Sequence, residues 1–292
     1  MVRTISETDL ILNQDGSIYH LNLLPHDIAS TIITVGDPDR VAEVSKYFDR
    51  IELKKGKREF ITHTGYIGKR RISVISTGIG TDNIDIVVNE LDALVNINLD
   101  TRTEKERATT LNFIRIGTSG SLQPNLPMGS LLVSSHAIGL DSLMHYYQGD
   151  RQQTDPALVA YVNNYFKSDN LNAYIEACSS YLNSKIAFDL PTGITLTAPG
   201  FYAPQGRNTR AKQMHSNLLE KMIRFSYKGQ VITNLEMETA GIYGLANALG
   251  HRALSINAIL ASRVNFEFSK QPNKVIEQAI QKVLERVIMI DE

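Results

Sequence analysis

The stretch Asn234-Leu235-Glu236-Met237-Glu238-Thr239-Ala240 (residues 234–240) decides how this sequence is expected to fold and act. It joins an apolar run at 230–235 to a segment of helical character at 239–246, and so predicts a strand-to-helix junction that carries two carboxylates. Residues two apart in a strand face the same side, so a strand that continued through Glu238 would turn Met237 away from both carboxylates. Such a pair can bind hydroxyls or move a proton. In the alternative, structural interpretation, Glu238 is a first-turn residue that favours the helix dipole.

Outward from this junction, three apolar strands are each followed by a glycine-rich segment. The pairs are Thr31–Val35 with Gly36-Asp37-Pro38-Asp39-Arg40, Arg71–Ser76 with Thr77-Gly78-Ile79-Gly80, and Asn112–Ile116 with Gly117-Thr118-Ser119-Gly120. A glycine turn between a strand and a helix exposes backbone N–H groups to an anion. Arg40 and Arg115 stand beside two of these segments, and an arginine inside an apolar strand must be paired or bind an anion. The repetition predicts an oxyanion of phosphate size at the strand ends.

A further strand, Thr192–Ala198, leads into a loop that combines aromatic and polar side chains. Phe201 and Tyr202 are followed closely by Gln205 and Arg207. A flat ring beside a side-chain amide and a guanidinium suits a heterocyclic base with carbonyl and N–H edges. An ordinary surface loop is the alternative interpretation of this segment.

The remaining pattern alternates strands and helices, which predicts an α/β fold. Apolar spacing predicts helices over residues 41–48, 83–95, 156–166, 218–225 and 270–289, and strands over residues 58–64, 71–76, 131–136 and 253–260. Residues 171–188 fit either a strand or a helix. The charged segment 96–111 is predicted to be a surface loop or a helix extension.

Composition excludes several classes of protein. The 292 residues include 30 basic and 31 acidic side chains, a balance that argues against a general nucleic-acid surface. Cys178 is the single cysteine, so neither an intrachain disulfide nor a CxxC metal site can form. The N-terminus lacks the apolar core of a signal peptide, and no apolar run reaches the length of a membrane span. We therefore expect a cytoplasmic protein with no metal and no nucleic-acid or membrane partner.

Taken together, these segments resemble the nucleoside phosphorylase family. The matching motifs follow the family order between His20 and Arg263, and they are Gly36–Arg40, Arg58–Phe60, Ser76–Gly80, Arg115–Gly120, Phe201–Arg207 and Glu236–Glu238. The resemblance implies one domain over residues 1–292, with three α/β/α layers around a central mixed sheet. It also implies a homo-oligomer, at least a dimer and in this family usually a hexamer of three dimers.

The resemblance further implies reversible phosphorolysis of uridine, deoxyuridine or thymidine to the free base and a sugar 1-phosphate, in pyrimidine salvage and without a cofactor. A purine nucleoside phosphorylase, a nucleosidase and a non-catalytic nucleoside or phosphate sensor stay open as alternatives. The family's purine enzymes place an aspartate near Ser262, where this chain has Ser262-Arg263. A nucleosidase uses water and would not need three arginines for phosphate.

The family's functional residues map onto this chain at matching positions. The residues implied to hold phosphate are Gly36, Arg40, Arg115 and Thr118, with Arg58 contributed by a neighbouring subunit. Those implied to bind the nucleoside are Thr118, Phe201, Gln205, Arg207, Glu236, Met237, Glu238 and Arg263, with His20 contributed by the neighbour. The groups expected to act in catalysis are Arg115, Gln205, Arg207 and Glu238.

The chain departs from the family pattern at Gly80-Thr81-Asp82-Asn83, where the family has Gly-Gly-Pro-Ser. In the family that serine can serve a monovalent cation at a subunit interface, together with a glutamate like Glu59. Asn83 in its place argues against such an ion here. Ala203-Pro204 likewise replaces Pro-Gly in the loop expected to hold the base.

Overall fold

The computed structural model describes residues 4–148 and 154–291. Its helices are α1 (Pro38–Ser45), α2 (Thr81–Asn96), α3 (Pro156–Lys167), α4 (Ser180–Ile186), α5 (Leu218–Arg224), α6 (Thr239–Ala248) and α7 (Pro272–Val287). Its strands are β1 (Thr31–Val35), β2 (Arg50–Lys57), β3 (Phe60–Ile67), β4 (Arg70–Ser76), β5 (Ile97–Asn98), β6 (Thr103–Glu104), β7 (Asn112–Ser121), β8 (Leu131–Gly139), β9 (Tyr174–Ala177), β10 (Thr192–Thr197), β11 (Ser226–Tyr227), β12 (Gln230–Glu236), β13 (Arg252–Ser262) and β14 (Glu267–Phe268). None of these helices is long and apolar enough to cross a membrane.

Within the described ranges, most strands form one mixed sheet in the order β11-β12-β10-β8-β13-β7-β1-β4-β3-β2. An additional antiparallel pairing joins Asn234 to Ser121 and Leu235 to Gly120, so β7, β13, β8, β10 and β12 close into a ring. Strands β1, β4, β7 and β13 run parallel to one another. Their carboxyl ends therefore meet at one edge, where ligands of open α/β sheets usually bind.

The two faces of the sheet are covered by different helices. Successive strand residues point to opposite faces, so Ile32 packs with α2 and α6 whereas Ile33 packs with α1, α4 and α7. On β7, Phe113 likewise packs with α2 and α6, whereas Ile114 packs with α1, α4 and α7. The expected three-layer fold around a central mixed sheet is thereby confirmed.

Two local predictions change. Gly117–Gly120 was expected to form a turn, and that prediction is wrong, because β7 continues to Ser121 and pairs with β13 throughout this stretch. Partner strands on both sides supply ladder hydrogen bonds, and these outweigh the local preference of glycine for a turn. Residues 171–188 contain both candidate elements, since β9 is followed directly by α4.

The sequence pattern also missed β2. Its residues alternate between exposed and half-buried, and many of them are charged. That is the composition of a protected edge strand, which a search for apolar runs does not detect.

Candidate active site

The predicted junction is present, with β12 ending at Glu236 and α6 beginning at Thr239. The buried Glu236 carboxylate accepts hydrogen bonds from the Glu238 N–H at 2.9 Å, the Thr239 N–H at 3.0 Å and the Thr197 hydroxyl at 2.6 Å. Glu236 therefore caps the start of α6 from just outside the helix. The structural role considered for Glu238 thus belongs to Glu236, and the strand does not continue through Glu238.

Both carboxylates nevertheless meet at one guanidinium. Arg115 Nη2 lies 2.9 Å from Glu236 Oε2 and 2.6 Å from Glu238 Oε2, and Glu238 Oε1 also accepts from the Gly80 N–H at 2.9 Å. Arg115 is buried, which by itself would lower its pKa, but the two carboxylates hold the pKa above its ordinary value. Burial raises the pKa of Glu238, although the Arg115 charge opposes this shift. The buried arginine is paired, as its position in an apolar strand requires.

The position of Arg115 depends on Gly117. A Cβ atom on Gly117 would fall inside the Arg115 guanidinium group. Residues 115 and 117 share a face of β7, so the absent side chain supplies the space over which the arginine folds back.

Gly36, Arg40 and Thr118 line a cavity of about 960 Å³ at the carboxyl ends of the parallel strands. Among the described residues, the Arg40 guanidinium has no hydrogen-bond or ion-pair partner, and its Nε is buried without one. Burial lowers the pKa of Arg40. The Asp37 and Glu43 charges oppose this shift from beyond ion-pair distance. A half-buried cation with no direct carboxylate contact favours an anionic ligand. The first turn of α1 is already capped by the Asp37 carboxylate, which accepts from the Asp39 N–H, so Arg40 is the stronger anion-binding group.

Another part of the same cavity is formed by the loop after β10. Arg207 donates to the Phe201 carbonyl at 2.6 Å and to Gln205 Oε1, and its guanidinium lies 3.7 Å from the centroid of the Phe201 ring. A guanidinium can only donate, so Arg207 fixes the orientation of the Gln205 amide. Burial lowers the pKa of Arg207 to about 10, and the nearby Arg263 charge adds to the effect. Arg263 Nε is also buried without a hydrogen-bond partner.

Met237 and both carboxylates also line this cavity, so most residues predicted for the site come together. Arg115 lies behind them, and its guanidinium is occupied by Glu236 and Glu238. The cavity therefore combines the Arg40 guanidinium, which has no partner among the described residues, with two further guanidinium groups, a fixed amide and acceptor oxygens. This is a set of groups that can hold an anion and a polar, flat ligand together.

His20 and Arg58 do not line this cavity. His20 Nδ1 lies 2.6 Å from Glu90 Oε1. Arg58 is exposed in the two-residue turn between β2 and β3, with φ at +57°. Their expected contribution to a neighbouring subunit's site stays a prediction.

Glu59 and Asn83, at the family's cation positions, also lie close together. Side-chain atoms of both come within 3.1 Å of the position that a Cβ on Gly78 would take. Among the described residues, no group of three or more His, Cys, Asp and Glu side chains could hold a metal ion. The absence of a metal or other cofactor stays a prediction.

Sequence reasoning missed several residues of the site. Asn257 accepts a hydrogen bond from Arg115 Nη1 at 3.1 Å, and exposed Ile79, Phe266 and Phe268 surround the cavity. Asn257 could have been found by the rule applied to Arg115, because a polar side chain inside an apolar strand must be hydrogen-bonded. The exposed aromatics on β14 and the turn before it carry no comparable signal.

Comparison with known proteins gives a consistent result. Residues 30–289 match the family model described as the Phosphorylase superfamily. A curated protein of Thermococcus kodakarensis named uridine phosphorylase is 31% identical over 277 residues, which is 94% of this chain and 88% of that protein. The Escherichia coli protein of the same name is 27% identical, over 92% of this chain and 99% of its own length.

A solved structure shows the same likeness in three dimensions. It is a Trypanosoma brucei nucleoside phosphorylase whose description reports uridine phosphorylase activity. The TM-score is 0.85 and the sequence identity 28%, with 97% of this chain and 100% of that chain covered.

Proposed function

The chain belongs to the phosphorylase superfamily, and from that premise we propose that it catalyses reversible phosphorolysis of uridine to uracil and ribose 1-phosphate. It acts as a pentosyltransferase in pyrimidine nucleoside salvage. One observation carries the choice of chemistry. A single cavity contains an unpaired Arg40, the acceptor Glu238, and a Gln205–Arg207 pair whose amide is fixed in orientation.

The proposed reaction is a displacement at the sugar carbon that bears the base. Phosphate oxygen forms the new bond to that carbon, and the carbon–nitrogen bond breaks with its electron pair going to uracil. Arg40, Gly36 and Thr118 position the phosphate, which lowers the entropic part of the barrier. Glu238 accepts hydrogen bonds from the sugar hydroxyls. Arg207 and Gln205 face the departing base and stabilise its developing negative charge.

Arg115 has a different place in this scheme. Its guanidinium is bonded to the Glu236 and Glu238 carboxylates, so it orients Glu238 for the sugar. In this proposal Arg115 also contacts phosphate, because a phosphate oxygen can take the place of the Glu238 carboxylate on the same Nη2 group.

The proposed active unit contains at least two copies of the chain and acts in the cytoplasm. Arg58 and His20 lie outside the cavity within one chain, which supports their use by a neighbouring copy. A hexamer of three dimers is the assembly that the family resemblance favours.

The test is release of free base from uridine, thymidine and inosine, each with and without inorganic phosphate. We expect uracil release that requires phosphate, and a higher KM for phosphate in Arg40→Gln. Uracil release without phosphate would indicate a nucleosidase, and phosphate-dependent cleavage of inosine alone would indicate a purine enzyme. Failure to cleave any nucleoside would favour a non-catalytic sensor.

A further inference from the structure

A chain of buried hydrogen bonds runs around the inside of the five-stranded ring. It takes one side chain from each strand and returns to β7, and its members in order are Arg115, Asn257, Ser134, Thr195, Asn234 and Ser119. Successive polar atoms lie 3.1, 2.9, 2.5, 2.9 and 3.0 Å apart. Every member is buried. Such a network orders its members strongly, because an unpaired polar group in this environment is costly.

The direction of donation along this chain follows from its first member. An arginine can only donate, so the oxygen of the Asn257 amide must face it and the amide nitrogen must face Ser134. The Ser134 hydroxyl accepts that bond and has its own hydrogen left for Thr195. Thr195 in turn donates to the oxygen of Asn234, which the Thr233 hydroxyl also approaches to 2.9 Å, and this directs the Asn234 amide nitrogen at Ser119.

Ser119 is therefore the last acceptor, and its own hydrogen is not used. The Ser119 hydroxyl makes no other hydrogen bond to a described residue, and Ser119 lines the cavity. The Asn234 amide group donates to one lone pair of the Ser119 oxygen. The hydrogen of the Ser119 hydroxyl is therefore available to an acceptor in the cavity.

The position of Ser119 indicates which ligand supplies that acceptor. Ser119 accepts a hydrogen bond from Asn234, and Glu236, two residues further along β12, faces the same side of that strand and lines the same cavity. Met237 and Glu238 follow directly in the cavity wall. Ser119 thus borders the residues assigned to the nucleoside.

We propose that Ser119 donates a hydrogen bond to an oxygen of the nucleoside, and that Arg115 orients this hydroxyl through the buried chain. The assignment of the ligand rests on the proposed function. A donor whose direction is fixed before the substrate arrives costs little reorganisation during the reaction.

The direct test compares Ser119→Ala with Ser119→Thr, which keeps the hydroxyl. We expect kcat/KM for uridine to fall about tenfold in Ser119→Ala, the scale of one lost hydrogen bond, and to recover largely in Ser119→Thr. The KM for phosphate should stay unchanged in both variants. Unchanged uridine kinetics in Ser119→Ala, or a change confined to the KM for phosphate, would overturn the proposal.

The role of the buried chain is tested at a member outside the cavity. Thr195→Val keeps the side-chain shape but removes the hydroxyl that links Ser134 to Asn234. The Asn234 oxygen then keeps only the Thr233 hydroxyl, which is not a member of the chain and also lies 2.9 Å from the Ile194 carbonyl. We expect kcat/KM for uridine to fall about threefold, with no change in the KM for phosphate. Wild-type uridine kinetics in a folded Thr195→Val protein would overturn the orienting role of the chain.

Failure of the proposed function gives a different result from failure of this inference. A protein that does not cleave uridine would disprove the function, and calorimetric titration with uridine would still decide the role of Ser119. We expect weaker binding of uridine by Ser119→Ala than by the wild type. Equal affinity would overturn the inference.

Discussion

Glu236 and Glu238 are separated by one methionine and bind the same guanidinium, yet their environments differ. Glu236 is bonded to the backbone that begins α6 as well as to Arg115. Glu238 accepts from the Gly80 N–H as well as from Arg115, and it lines the cavity where a sugar would bind. The sequence predicted two carboxylates on one side of a junction but could not divide these roles, because two further donors to Glu236, Thr197 and Arg115, come from distant strands.

Glu236→Gln is expected to reduce the free energy of unfolding by about 1–3 kcal/mol, because an amide NH₂ group would face buried donors. Urea unfolding measures this change. Glu267→Gln is the matched control, since Glu267 lines the same cavity but is exposed. Wild-type stability of Glu236→Gln would disprove the capping role and return Glu236 to the set of residues expected only to bind the nucleoside.

Arg207→Ala is expected to lower kcat/KM for uridine about a hundredfold, the scale of losing one donor aimed at developing charge. Steady-state kinetics with saturating phosphate measures the effect. Arg210→Ala is a suitable control, because Arg210 lies in the same loop but is exposed and outside the cavity lining. Equal losses in the two variants would show that loop charge, rather than the Arg207 contact, is responsible.

At the scale of elements, the site depends on the pairing of β7 with β13. The segment Gly117–Gly120, predicted as a turn, is part of strand β7 and pairs with β12 and β13. The prediction failed because these partner strands are far away in sequence and leave no local pattern in the segment. Gly117 was predicted only as part of that turn. In the strand, its missing side chain leaves space for the Arg115 guanidinium.

Gly117→Ala is expected to displace Arg115 and to lower kcat/KM for uridine by about a hundredfold or more, since a shift of the positioning groups by an ångström is that costly. Overpacking should also reduce stability by about 1–3 kcal/mol. Gly56→Ala on the edge strand β2 is the control, because its new Cβ meets only the end of the Ile61 side chain. Near wild-type kinetics of Gly117→Ala would contradict the dependence of the site on Arg115.

The contact between α1 and β3 predicts how stability depends on pH. His63 is buried with its Nδ1 2.7 Å from Ser45 Oγ, and burial, followed by the Lys54 charge, lowers its pKa below the ordinary 6.5. Unfolding then takes up a proton, so stability falls as pH drops through about 6.5 and is unaffected well above it. Urea unfolding at pH 7.5 and 5.5 should show a smaller loss in His63→Gln than in the wild type. An equal loss in both proteins would exclude His63 as a source.

At the scale of the whole molecule, the alternation of strands and helices predicted an α/β fold, and the family resemblance implied three layers around a mixed sheet. The closure of part of that sheet into a ring was not predictable, because the pairing of Asn234 with Ser121 joins strands remote in sequence. The ring nevertheless brings Arg115 to Glu236 and Glu238, and its interior contains the chain of hydrogen bonds that ends at Ser119. Residues recognised singly in the sequence thus become one site through long-range pairing.

The central claim is that phosphate, rather than water, takes the sugar from uridine. Phosphorus-31 NMR of the protein with uridine and inorganic phosphate tests it directly, with the released uracil measured in the same sample. We predict that a sugar 1-phosphate signal grows as inorganic phosphate declines, in equal amounts to the uracil released. Uracil release accompanied by free ribose and constant inorganic phosphate would contradict the claim.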